Sequence, residues 1–268
     1  MQISFYAGGT VEIYDPKTET LEDLGRDGLS LIQSRTGFRF GEDTVLLSWF
    51  VASHARFRKK DPLKALELGS NCGAASILLA GRRKDIKIDA VERQDEAAAI
   101  FERNIRLNGL SDRIRSEVTD LRKLPTETFP KNHYDVVFAN PPFRKTNAGP
   151  VTETDIHSQA LLEARFAMHG EVEDFISCAS KMLVPRGDLF LVDRAETLGD
   201  VLMSCGKVNL APKILRFVHP FPDKPATLFL LQAKKDGKVS GMTVEPPLIL
   251  RDSSRQYTDE LKKIYSEE

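Results

Sequence analysis

Cysteine, histidine and long apolar runs are all scarce in this chain, and each scarcity excludes something. Its 268 residues include three cysteines, Cys72, Cys178 and Cys205, widely spaced and odd in number. They offer neither a disulfide framework nor a zinc cluster, and they suit a reducing, cytoplasmic setting. The histidines, His54, His133, His157, His169 and His219, have no metal-ligand spacing, so no metal site is expected. No apolar run reaches the roughly 18 residues that a bilayer-spanning helix needs, so no membrane partner is expected. Met1–Asp15 lacks the basic start and long apolar stretch of a secretory leader. What is present is ordinary for a globular chain, 41% hydrophobic and 29% charged, which excludes disordered, collagen-like and coiled-coil classes. The length fits one large or two small domains.

The net charge of −1 is unevenly spread. Residues 1–30 carry six acids against Lys17 and Arg26, leaving the remainder at +3, with basic clusters at His54–Lys60 and Arg82–Lys84. Such clusters are more often solvated faces than binding surfaces, so composition permits RNA contact without demanding it.

From about Lys64 short apolar runs alternate with amphipathic stretches. Strands are expected at Lys64–Leu68, Ile86–Glu92, Ile114–Asp120, Tyr134–Ala139 and Asp188–Val192. Helices are expected at Ala74–Gly81, Gln94–Asn108, Glu171–Leu183 and Ala195–Gly206, with Pro185–Gly187 as a turn. Strand–helix alternation implies a parallel sheet covered on both faces, and right-handed crossovers make it doubly wound. Lys213–Val218 and Thr227–Ala233 are strands joined by a proline-rich stretch too short for a crossover, so they should pair antiparallel and close one sheet edge. Lys234–Gly241 reads as a polar linker, and Thr258 as the cap of a last short helix. Residues 1–60 stand outside the alternation, with strand-like pieces around Ile3–Tyr14 and Leu29–Arg35 and an apolar helix at Glu42–Ala55. They read as an N-terminal extension packed on a core domain of residues 61–268.

Three acids or glycine loops fall at the ends of successive strands, where open α/β sheets bind ligands. Gly69-Ser-Asn71-Cys-Gly73 follows the first core strand, with Asn71 where a dinucleotide loop would place a middle glycine. Glu92 ends the second strand, placed to bond both hydroxyls of a ribose. Asp120 ends the third, where it could accept a bond from an adenine amino group. Together they indicate a nucleoside site, although each alone is more often a cap or a solvated side chain.

The most specific motif is Asn140-Pro141-Pro142-Phe143, directly after the fourth strand. Its bland reading is a rigid proline turn. The chemical reading starts from an exocyclic base amine, whose lone pair is delocalised into the ring. The Asn140 side-chain oxygen and the Pro141 carbonyl can each accept one of its hydrogens, orienting the amine and exposing the lone pair. Proline fixes φ, so the carbonyl is held in place. Phe143 offers a ring for the base to stack on.

A mainly parallel sheet ending in an antiparallel hairpin, together with this motif, resembles the Rossmann-like class I methyltransferases that use S-adenosylmethionine. Reading outward, Arg39–Trp49, Leu66–Gly69, Ala90–Glu92, Asn140–Pro142 and the ending Leu248–Arg251 with Tyr257 are similar to bacterial tRNA adenine-N6 methyltransferases, which modify the adenine beside the anticodon of a valine tRNA. The resemblance implies cofactor contacts from Glu67, Gly69, Gly73, Glu92 and Asp120, with Asp43 near the methionine end. It implies that Asn140, Pro141, Pro142 and Phe143 hold the target base, which must leave its stack to reach them. Two departures stand out: Asn71 replaces a usual glycine, and Phe143 replaces the commoner tyrosine. Ribosomal guanine-N2 enzymes often carry phenylalanine there, and protein glutamine N5-methyltransferases share the Asn-Pro-Pro logic, so both are alternatives. Arg144 and Lys145, and the polar stretch Thr146–Gly170, could meet RNA.

Overall fold

A computed structural model describes residues 13–36, 39–56, 62–142 and 171–266. Its elements in chain order are β1 (Glu19–Asp23), β2 (Ser30–Ser34), α1 (Glu42–His54), β3 (Leu63–Leu68), α2 (Ala74–Arg82), β4 (Ile86–Glu92), α3 (Asp95–Leu107), β5 (Ile114–Val118) and β6 (Tyr134–Ala139). After them come α4 (Val172–Met182), β7 (Leu183–Arg194), α5 (Leu198–Lys207), β8 (Leu210–His219), β9 (Leu228–Lys235), β10 (Thr243–Val244), β11 (Leu248–Ile249) and α6 (Asp259–Ser266).

The main sheet runs β5-β4-β3-β6-β7-β9-β8-β10, with β11 also on β8. Strands β5, β4, β3, β6 and β7 are mutually parallel, while β9 is antiparallel to both β7 and β8. Side chains alternate strictly across this sheet. Ala65, Val136, Phe138, Phe190 and Val192 join the core beneath α1, α2, α3 and α6, while Leu66, Val137, Ala139, Leu189 and Leu191 join the core beneath α4 and α5. Burial on both faces explains why β6 and the Leu189–Val192 part of β7 read as continuous apolar runs. Helix α1 lies in the first of these cores, where Phe50 meets Phe190 edge-on with ring centroids 5.7 Å apart.

The hairpin β1–β2 forms a separate two-stranded sheet. It is tied to α3 by two asparagines one helical turn apart, a spacing that puts both on one face. Asn104 is fully buried; it accepts from Ile32 N (2.7 Å) and donates to Ile32 O and Cys72 O (both 2.9 Å). Asn108 likewise accepts from Ser30 N and donates to Ser30 O. The amides thus act as a partner strand for β2, and Asn104 also anchors the loop after β3.

Three expectations need correction. Pro185–Gly187 is not a turn before the strand: β7 already begins at Leu183, and the pairing with β6 shifts register between Tyr134 and Val136, with Arg186 at φ 64°. The irregularity is absorbed as a bulge because the ladder resumes at Asp188. The β8–β9 hairpin is present, yet it does not close the edge, since β10 and β11 return parallel to β8. β5 stops at Val118, because Asp120 caps a 3-10 turn at Leu121–Lys123 by accepting from Arg122 N. The piece around Ile3–Tyr14 lies mostly outside the described residues, whereas β1 has no counterpart among the expected strands. Thr258 caps α6 as expected, its hydroxyl accepting from Leu261 N at 3.2 Å.

The basic cluster Arg82–Lys84 is consumed internally. Arg83 pairs with Asp85 and donates to Ala52 O and Ala55 O, Arg82 donates to Ile264 O, and Lys84 meets Asp27. Among the described residues, no helix is long and apolar enough to cross a membrane.

Candidate active site

Register brings the expected residues together. Leu68 lies opposite Val91 of β4 and Ala139 of β6, so Gly69, Glu92 and Asn140 emerge from three adjacent strands at one level. The chain goes from β3 to β4 on one side and later returns to β6 on the other. The crevice between β3 and β6 is therefore the switch point at which open α/β sheets bind ligands.

The loop after β3 is shaped by alternating left-handed residues: Gly69 at φ 70°, Asn71 at 49° and Gly73 at 84°. Asn71 adopts the conformation that the usual glycine would supply, and asparagine tolerates it at small cost. Its side-chain oxygen accepts from Cys72 N at 2.6 Å. Gly73 is required for a different reason: a Cβ there would lie 1.9 Å from the Phe101 ring.

Glu92 is buried and bonds the loop to its own strand end. Its Oε2 accepts from Asn71 N, and its Oε1 accepts from Arg93 N and Gln94 N, all at 2.8 Å. Three of the roughly four acceptor sites of a carboxylate are thereby filled, most of them on Oε1, so the free capacity is on Oε2. Asp120 carries the Arg122 guanidinium, with Nη2 at 2.6 Å from Oδ2 and Nε at 2.9 Å from Oδ1. That side-chain bond holds its carboxyl down at about 2. An adenine amine would have to share this carboxylate with Arg122.

Glu67 is buried next to the last residue of β3 and accepts a bond from the Ser76 hydroxyl of α2. Burial pushes its carboxyl up from 4.5 to about 8. A raised value means that the folded state keeps a proton that the unfolded chain releases, so this contribution is complete below about pH 4.5 and is lost as pH climbs to about 8. Replacing Glu67 by glutamine is expected to flatten that loss. Melting temperatures of the two proteins across this window check it: the variant should gain on the wild type as pH rises, and a constant difference would contradict the assignment.

Asn140 is half-buried at the end of β6. Its Nδ2 donates to Asp43 Oδ2 at 3.0 Å and to Thr44 Oγ1 at 3.3 Å, both in the first turn of α1. Its Oδ1 is buried and has no partner among the described residues. Asp43, expected near the methionine end of a cofactor, is thus found holding this amide, a contact that nothing in the sequence pattern indicates. Pro141 is buried and Pro142 is exposed. Phe143, Arg144, Lys145 and Thr146–Gly170 lie outside the described residues.

A second orphan, the buried Ser70 Oγ, sits in the glycine loop, at a position that no sequence motif singles out. Two buried polar atoms without partners among the described residues, at the ends of adjacent strands, are what a polar ligand would satisfy. With the buried Glu92 beside them, these oxygens fit the hydroxyl and amino donors of a nucleoside. Cys72, Cys178 and Cys205 are buried, and each thiol is pushed up to about 12, so none is a nucleophile. Among the described residues, no group of His, Cys, Asp and Glu could hold a metal ion.

Residues 54–206 match the family model of the methyltransferase small domain. A tRNA1(Val) (adenine(37)-N6)-methyltransferase of Tolumonas auensis is 28% identical over 237 residues, covering 85% of this chain and 88% of that protein. The crystal structure of a predicted O-methyltransferase from Agrobacterium tumefaciens superimposes with a TM-score of 0.64 at 23% identity, covering 83% of this chain and 95% of the other. The structure of M. jannaschii TYW2 in complex with AdoMet gives 0.53 at 15% identity, covering 82% and 87%.

Proposed function

The chain belongs to the methyltransferase small domain family and is an S-adenosylmethionine-dependent methyltransferase, and on that premise we propose that it methylates N6 of adenine in a tRNA, the adenine at position 37 of a valine tRNA. The observation that carries this reading is the Asn140 amide: its nitrogen is anchored on Asp43, and its buried oxygen is left as an acceptor without a donor among the described residues. The name of the Tolumonas auensis relative supplies the base and the tRNA.

In this reading Glu67, Gly69, Ser70, Gly73, Glu92 and Asp120 hold the cofactor, Glu92 through the ribose and Asp120 at the adenine edge. When bound, S-adenosylmethionine supplies an electrophilic methyl group on a sulfonium. The remaining task is to make a poor nucleophile reactive. Asn140 Oδ1 accepts one hydrogen of the target amine and the Pro141 carbonyl accepts the other, which turns the nitrogen lone pair out of conjugation. Both acceptors are fixed before the base arrives, the first by Asp43 and the second by the proline ring, so little is lost in ordering them. Phe143 and Pro142 would flank the flipped base.

The test is transfer of labelled methyl from S-adenosylmethionine to total RNA and protein extracted from cells lacking this protein, with the tRNA, ribosomal RNA and protein fractions then separated and digested. Label in N6-methyladenosine is expected. Label in N2-methylguanosine from ribosomal RNA would move the reading to the guanine enzymes, and label only in protein amides would replace it.

A further inference from the structure

We infer that Asp43 and Thr44 are positioning residues that set which way the Asn140 amide faces; the inference rests on the role proposed above for Asn140. An asparagine amide has nearly the same shape in its two orientations, and only its partners decide which end is oxygen. Here the partners are unambiguous. Asp43 Oδ2, 3.0 Å from Nδ2, belongs to a buried carboxylate whose other oxygen accepts from Thr44 N at 2.7 Å. The Thr44 hydroxyl lies 3.3 Å from the same Nδ2, accepts from it, and donates to Asp43 Oδ1 at 3.4 Å. Both Asn140 amide hydrogens are thereby spent on α1, and Oδ1 is left pointing away from it. Inverting the amide would set two acceptors against each other in a buried place, which is costly.

The same contact has an electrostatic consequence. A carboxylate bonded to the NH₂ end of an amide polarises it and strengthens the oxygen as an acceptor. Positive charge grows on the target amine as its lone pair engages, so a stronger acceptor helps more in the transition state than in the bound substrate. The helix start is arranged to allow this: a Cβ at Gly41 would lie 3.0 Å from Asp43 Oδ1, and glycine there leaves the carboxylate its place. Asp43 thus acts through Asn140, and its removal should affect turnover rather than cofactor affinity.

The experiment compares Asp43→Asn, Asn140→Ala and the double variant, each as full-length protein, for S-adenosylmethionine affinity by calorimetry and for kcat and KM with total tRNA. Asp43→Asn keeps the shape but can present either a donor or an acceptor, so the amide loses its fixed orientation. Its kcat should fall about 10- to 100-fold, the range of a hydrogen bond to a charged group, with cofactor affinity within about twofold of wild type. The double variant should be no slower than Asn140→Ala alone, because the first change has nothing left to act through. Unchanged kcat in Asp43→Asn, with Asn140→Ala inactive, would overturn the inference and leave the proposed reaction standing. Cofactor affinity falling in step with kcat would also overturn it, assigning Asp43 to the cofactor site. Full activity in Asn140→Ala would remove both. Should Asp43→Asn not fold, Thr44→Val serves: a several-fold lower kcat at unchanged cofactor affinity supports the inference, and wild-type kcat overturns it.

Discussion

Asn140→Ala is expected to bind S-adenosylmethionine like the wild type and to transfer methyl about 10²- to 10³-fold more slowly, the range found when one preorganised hydrogen-bonding group is removed from a reacting centre. The expectation follows from where the two ends of the amide lie. No described residue donates to the oxygen end, which in the proposed role serves the incoming amine. The nitrogen end serves Asp43 and Thr44, so truncation also strands a buried carboxylate oxygen. That loss should lower stability by about 1–3 kcal/mol, enough to measure without unfolding the chain. Glu67 and Glu92, the proposed cofactor contacts, bond Ser76, Asn71, Arg93 and Gln94 and not Asn140, which is why affinity should hold. Single-turnover transfer with saturating tRNA, beside calorimetry of the cofactor, separates the two effects. Near-wild-type transfer would mean that the target amine is oriented by something else.

Among the described glycines, Gly73→Ala should be the most damaging substitution. Gly73 has φ 84°, and an alanine Cβ would lie 1.9 Å from two carbons of the Phe101 ring. Phe101 is fully buried in the core beneath α2 and α3, so the ring has nowhere to go. Left-handed strain adds about 1–2 kcal/mol and overpacking a further 1–3 kcal/mol. A combined loss of about 3 kcal/mol lowers the melting temperature by roughly 6–12 °C in a chain of this size. Because Gly73 also starts α2 and ends the loop, cofactor binding should fail with it. Gly109→Ala is the matched control: φ is 61°, yet nothing lies within 4 Å of the added carbon. It should lose only the backbone part, about 1–2 kcal/mol. Equal melting temperatures for the two variants would contradict the steric account.

Much of this site can be read in the sequence, for physical reasons. β6 falls at the expected residues because a strand buried on both faces is a short apolar run, and β4 because its apolar residues alternate with Lys87 and Asp89 on the less buried face. Helix α3 is bounded by Gln94 and Asn108, where amphipathic period and turn residues agree. Asn71 departs from the glycine pattern in name only, since it takes the left-handed conformation the loop needs. What could not be read is long-range. Asp43 and Asn140 are 97 positions apart, and only the packing of α1 over the sheet joins them. Asn104 reads as an ordinary polar position on α3, and its role as partner to β2 depends on where the hairpin docks. The Arg122 guanidinium on Asp120 comes from a 3-10 turn that no periodicity announces.

The central claim, that this crevice delivers a methyl group to an adenine amine of a tRNA, is tested most directly with two valine-tRNA transcripts. One carries adenine at position 37, the position in the name of the Tolumonas auensis relative, and the other carries guanine there. Each is incubated with the protein and labelled S-adenosylmethionine, then digested to nucleosides. The account predicts label in the first alone, recovered as N6-methyladenosine. Equal labelling of both, or label in neither while the cofactor is bound, would contradict it.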